Sequence, residues 1–179
     1  MVQVLWRGRG GQGAFTAARM LGAAYISGGG GRFALAFPSF GPERRGAPMS
    51  AFTKLSGAPI HARNEIRAPD FTVYLDGTLF TAPSETGVTL VNSPHPVKGA
   101  VTVDAWRIAA DHKLPTPNTA MLGALAALLD EIAPEETERG VASVLPPRLL
   151  ARNLDAVSAA REELRSRGPL PRERSEVLP

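Results

Sequence analysis

The chain has 179 residues, 44% hydrophobic and 21% charged, which excludes a disordered segment and points to one folded globular domain. Its formal charge of +3 comes mostly from scattered arginines with no lysine-rich or basic–aromatic patch, so neither nucleic acid nor a membrane surface is an expected partner. With no cysteine, the chain cannot form a disulfide, ligate an iron–sulfur cluster through thiolates or offer a thiol nucleophile.

The first element is "VQVLWRG" (2–8), an apolar, β-branched run ending at glycine and expected to be a strand. Its five residues "VQVLW" before the first arginine are too short for a signal-peptide core, and no apolar run reaches bilayer length, so a cytoplasmic location is expected. A glycine-rich turn follows. Ala14, Ala17, Ala18, Leu21 and Tyr25 then recur at helical spacing, and the helix stops at Gly28–Gly31. "RFALAFPS" (32–39) predicts a second strand, and "MSAFTKLSG" (49–57) a third that pairs antiparallel with it. "DFTVYLDG" (70–77), "GVTLVNS" (87–93) and "AVTVDA" (100–105) are further strands, the last leading into a helical "WRIAADHKL" (106–114).

The segment "TPNTAMLGALAALLDEIA" (116–133) carries an apolar stripe from Met121 to Ile132, with Asn118 or Thr119 available as its cap. A shorter amphipathic helix is expected from Asn153 to about residue 168, then an extended tail. Strands alternating with helices predict an α/β domain over residues 1–167. It should be Rossmann-like and three-layered, with a mostly parallel sheet and an inserted antiparallel hairpin; residues 168–179 form the tail.

Two loops stand out. In "WRGRGGQGAF" (6–15), Gly8, Gly10 and Gly13 fit G-x-G-x-x-G between a strand and a helix. Such a turn lets backbone approach a ligand closely, and the helix N-terminus behind it offers free N–H groups to a phosphate. Arg7 and Arg9 have no acidic neighbour in sequence, which favours an anion. The acidic residue that an NAD site places about 20 positions on is missing: the first after Gly13 is Glu43. In "FPSFGPERRGAP" (37–48), prolines and glycines surround Arg44 and Arg45, a pattern suited to phosphate or to docking. The first two strands are expected to be neighbours, so that both loops open on one crevice.

"GRGGQGAFTAARMLGAA" (8–24), "FALAFPSFGPERRGAPMSAFTKLS" (33–56) and "PNTAMLGAL" (117–125) together resemble the gamma subunit of the 2-oxoacid:ferredoxin oxidoreductases, over about residues 2 to 165. Pyruvate, 2-oxoisovalerate and phenylglyoxylate enzymes belong to that family. The resemblance implies a multi-subunit enzyme that converts a 2-oxoacid to an acyl-CoA. Thiamine diphosphate, Mg and iron–sulfur clusters would sit in alpha, beta and delta-type partner subunits, with ferredoxin or another electron acceptor served through the complex. This chain would bind and position coenzyme A. Gly10, Gly11, Gln12 and Gly13 would line the CoA phosphates, Ser39, Arg44, Arg45 and Gly46 would approach from the second loop, and Asn118 is a further candidate. No metal site and no catalytic acid or base is expected in this chain. The alternatives are a Rossmann-type nucleotide-dependent dehydrogenase and a purely structural docking subunit.

Of the remaining residues, Asp76, Asp104 and Asp111 are expected to cap or to stabilise turns. Trp6 and Trp106 are expected in the core or at a subunit interface, and His95 in an exposed loop.

Overall fold

Along Val2–Arg9 the side chains alternate, Val4 and Trp6 buried and Arg7 exposed, so the strand presents two different faces. In the computed structural model, which describes residues 1–39 and 45–171, this strand (β1) lies inside a six-stranded sheet. The other strands are β2 (Phe33–Pro38), β3 (Pro48–Ser56), β4 (Phe71–Tyr74), β5 (Val88–Asn92) and β6 (Val101–Val103), in the order β2-β3-β1-β4-β5-β6. β1, β4, β5 and β6 run parallel, while β3 is antiparallel to both β1 and β2. The α/β class, the mostly parallel sheet and the antiparallel pair are those expected.

The expected pairing of the first two strands is corrected: β3 separates them. Because β3 runs backwards, Arg9 at the end of β1 faces Pro48 at the start of β3. The second loop is therefore still delivered to the C-terminal end of β1. A hairpin strand does what direct adjacency would have done.

One face of the sheet carries the main core. Trp6 is fully buried; its indole donates to Thr53 Oγ1 at 3.0 Å, and that hydroxyl donates to the Ala18 carbonyl at 3.0 Å. The helices are α1 (Ala14–Ser27), α2 (Ala105–Asp111), α3 (Asn118–Leu128), α4 (Pro134–Val144) and α5 (Pro147–Arg165). Every residue of α3 is buried, as befits a helix apolar on all sides. The small residues allow close approach: a Cβ on Gly123 would stand 2.1 Å from the Val157 carbonyl oxygen, and one on Gly140 2.5 Å from that of Met20.

On the opposite face, the segment after β3 packs against the sheet through Ile66 and through the carbonyls of Ala62 and Asn64. Phe37 and Phe52 stack there at 5.0 Å, joined by Ile66. Lys54 is buried on this side, its ammonium donating to the carbonyls of Ala62 and Asn64, each at 2.9 Å, and to Asn64 Oδ1 at 3.1 Å.

Two expectations differ from the structure. The helix α4 lies in a stretch not assigned to any element; Pro134 at its start, Glu135 and Glu136 in its first turn and the Glu136 bond to Ala133 N at 2.9 Å are ordinary start signals. Helix α5 begins at Pro147, not Asn153, because proline fits the first helical turn. Trp106, expected in the core or at a subunit interface, is 46% exposed in this chain. Asp104 caps α2 through Arg107 N at 3.0 Å, and Asp111 pairs with Arg107 at 3.1 Å.

Candidate functional site

The two glycine-rich loops meet. Gly10 forms a bridge with Arg45; Gly10 N donates to Ala47 O at 2.9 Å and Gly46 N to Gly10 O at 3.0 Å. Arg9 adds a bond from its guanidinium to Gly46 O at 3.2 Å. The stem of Arg45 lies over Gly11, with Cγ 4.0 Å from where a Cβ on that residue would be. Gly11 and Gly46 have φ values of +96° and +81°, a region that favours glycine. Arg45 is exposed and makes no ion pair among the described residues. Arg44 lies outside the described residues.

Beneath this junction is a polar network built on Asp76, just beyond β4. Its Oδ1 accepts from Thr78 N at 3.0 Å and Thr78 Oγ1 at 2.6 Å; its Oδ2 accepts from Arg9 Nε at 2.9 Å and Gln12 Nε2 at 3.1 Å. Gln12 Oε1 accepts from Arg9 N at 2.7 Å, and Gln12 N donates to Arg9 O at 3.0 Å. One end of the Gln12 side chain thus closes the turn on itself, and the other ties the turn to Asp76. Partial burial acts to raise the Asp76 pKa, but hydrogen bonds from Thr78 and Gln12 and the Arg9 charge outweigh it, so the net shift is downward from 3.8.

At Gly13 the start of α1 meets the start of α3. This glycine precedes α1 with φ +83°, and among the described residues no side chain caps that N-terminus; the first turn holds no acidic residue. The first intrahelical bond runs from Ala17 N to Gly13 O, leaving the N–H groups of residues 14–16 ahead of the ladder. Asn118, the first residue of α3, packs against the same glycine. A Cβ on Gly13 would lie 2.5 Å from Asn118 Nδ2, and Thr116 Oγ1 donates to Asn118 Oδ1 at 2.8 Å. Helix α3 also lacks a side-chain cap and an acidic first turn. Its N-cap is Pro117, so the expectation that Asn118 or Thr119 caps it is corrected. The positive ends of two helix dipoles therefore meet at one turn.

Ser39 sits lower, on the sheet face opposite the helices. Its N donates to Ser50 O at 2.8 Å and its Oγ accepts from Ser50 N at 3.3 Å. With Arg7, Pro48, Met49, Ser50 and Leu79 it lines a shallow cavity of about 230 Å³. Arg7 rests over the Tyr74 ring, 6.0 Å from its centroid.

The structure thus brings Gly10, Gly11, Gln12, Gly13, Arg45, Gly46 and Asn118 to one end of the sheet, with Ser39 in the neighbouring cavity. It also corrects the reading of Arg9 as an unpaired cation. Its partner Asp76 is 67 residues away, so no neighbouring residue could reveal the pair. Asp76 does cap the 3₁₀ turn as expected, but its second oxygen anchors the glycine turn. The only signal in sequence was its place at the end of an apolar strand parallel to the first.

Residues 3–163 match the family described as pyruvate ferredoxin/flavodoxin oxidoreductase. The chain is 35% identical over 179 residues to the pyruvate synthase subunit PorC of Methanothermobacter marburgensis, covering 94% of this chain and 100% of that relative. It is 37% identical over 183 residues to the pyruvate/ketoisovalerate oxidoreductases common subunit gamma of Pyrococcus furiosus, covering 91% and 97%. Among solved structures, the pyruvate oxidoreductase subunit PORC of Thermotoga maritima superposes with a TM-score of 0.75 at 32% identity, over 90% of this chain and 95% of that one. The 2-oxoglutarate:ferredoxin oxidoreductase of Magnetococcus marinus, solved with 2-oxoglutarate, coenzyme A and succinyl-CoA bound, shares the fold at 17% identity and a TM-score of 0.72; the match spans 92% of this chain and 31% of that longer one.

Proposed function

The chain belongs to the pyruvate ferredoxin/flavodoxin oxidoreductase family as a gamma-type subunit, and from that premise we propose that it holds the phosphates of coenzyme A where its two glycine-rich loops join. The observation that carries this reading is the meeting at Gly13 of two helix N-termini that lack a side-chain cap, with Arg45, which makes no ion pair among the described residues, over the neighbouring Gly11. Backbone N–H groups, two helix dipoles and a guanidinium suit an anion, and phosphate is the anion this geometry accommodates best. Arg9 is paired with Asp76, so the cations of this loop pair that make no ion pair among the described residues are Arg7 and Arg45, with Arg44 next to Arg45 in sequence.

The alpha, beta and delta-type subunits of the complex are its partners in this reading, in the cytoplasm. They hold thiamine diphosphate, with Mg, and the iron–sulfur clusters, which supply decarboxylation and electron transfer to ferredoxin. This chain contributes no acid or base. It orients the CoA thiol so that acyl transfer occurs within a preassembled complex rather than by random encounter. Ser39 and Arg7 line the neighbouring cavity.

Arg45→Ala in the assembled enzyme tests this. A charged hydrogen bond contributes roughly 1.5–3 kcal/mol, so the apparent KM for CoA should rise about ten-fold or more, with kcat at saturating CoA nearly unchanged. An unchanged KM removes Arg45 from the site and leaves the loop pair as a docking element.

A further inference from the structure

The glycine turn has few intrinsic reasons to hold one shape. Glycine has the widest backbone freedom of any residue, and ordering it costs the most entropy. Gly10, Gly11 and Gly13 are nonetheless held by a set of side-chain bonds that converge on one carboxylate. Asp76 accepts four hydrogen bonds, two from Thr78 on its own turn and two from Arg9 and Gln12 on the glycine turn. Gln12 is shared between them: its Nε2 reaches the carboxylate while its Oε1 accepts from Arg9 N at 2.7 Å. The Arg9 guanidinium extends the set outward, to Thr78 Oγ1 at 3.1 Å and to Gly46 O at 3.2 Å. One side-chain cluster thus touches the end of β1, the end of β4 and the second loop.

We propose that Asp76 is the positioning residue of this site: acting through Arg9 and Gln12, it fixes residues 9–13 in the shape that receives the phosphate. It is not a ligand-binding group, since both oxygens are occupied by protein donors. Its second consequence is selective. By neutralising Arg9, it keeps that cation from competing for the anion and leaves the backbone N–H groups and Arg45 to define where the phosphate sits. The positioning of CoA rests on the function proposed above; the clamp on the turn does not.

The competing explanation is that Asp76 merely caps the 3₁₀ turn Gly77–Leu79. The two separate cleanly with Asp76→Asn. Asparagine caps about as well as aspartate, so a capping role predicts wild-type behaviour. A clamp predicts failure, because the amide, whichever way it is turned, presents N–H to donors on one side. Asp104→Asn, at the equivalent cap of α2, is the control.

In the assembled enzyme without CoA, hydrogen exchange of the peptide spanning residues 9–14 should accelerate ten-fold or more in Asp76→Asn and stay unchanged in Asp104→Asn. The KM for CoA should rise at least five-fold in Asp76→Asn, with kcat at saturating CoA within two-fold of wild type. Unchanged exchange overturns the clamp. Faster exchange with an unchanged KM overturns the positioning role while the clamp stands. Failure of the CoA reading itself would show separately, as an unchanged KM in Arg45→Ala.

Discussion

The helical face of the sheet and its C-terminal edge are stabilised by different physics. On the helical face, α3 is buried on every side and contacts its neighbours through Leu, Ala, Met and glycine. Those contacts are numerous, individually weak and non-directional. At the edge, the glycine turn is held by a handful of bonds with fixed donors and acceptors, converging on Asp76. The first region sets how much stability the chain has; the second sets where a few backbone N–H groups point. Mutations should therefore divide into those that unfold the protein and those that misplace a ligand without unfolding it.

The largest effect should come from the packed face. Trp6→Ala removes a fully buried indole and its bond to Thr53, and should cost about 3–5 kcal/mol in denaturant unfolding. Gly123→Ala places a methyl 2.1 Å from the Val157 carbonyl oxygen, so α3 and α5 must separate, for about 1–3 kcal/mol. If either variant kept wild-type stability, the assignment of stability to this face would be broken.

Gly13→Ala is the variant that belongs to both regions. Its φ of +83° and the Asn118 amide against it should cost about 1–3 kcal/mol. It should also raise the KM for CoA by more than the loss of stability can explain. A variant that loses stability but keeps its KM would separate the turn from the ligand.

How legible was this division in the sequence? The apolar strands, the helix after the glycine turn and the antiparallel hairpin followed from periodicity, because burial on one or two faces leaves a repeating signature. The motif at Gly8–Gly13 marked a backbone approached closely by something. Sequence alone could not show that part of that something is Asn118, from a helix more than 100 residues on. Likewise Arg9 looked unpaired because its carboxylate belongs to another strand. The error over strand adjacency has the same origin: β3 inserts between β1 and β2, and strand order is a property of tertiary pairing that alternation does not encode. Local rules recover elements, whereas the polar edge is made of long-range pairs.

The smallest effect expected is on pH. The folded-state pKa of Asp76 lies below 3.8, so its contribution is present in full above the unfolded value and is lost as pH falls through the folded one. The stability difference between wild type and Asp76→Asn should be constant from neutral pH down to about pH 5, and should narrow below about pH 4. A difference that instead narrowed as pH rose above 5 would mean that Asp76 is protonated in the fold, contrary to the four donors around it.

The central claim is that two loops distant in sequence form one seat for the phosphates of coenzyme A. It is tested most directly by hydrogen exchange of the assembled oxidoreductase with and without CoA, followed on the peptides covering residues 9–16 and 45–50 of this chain. Slower exchange in both peptides on adding CoA, with no change in the α5 peptide, is the predicted result. Protection confined to the partner subunits, with neither loop affected, would contradict it.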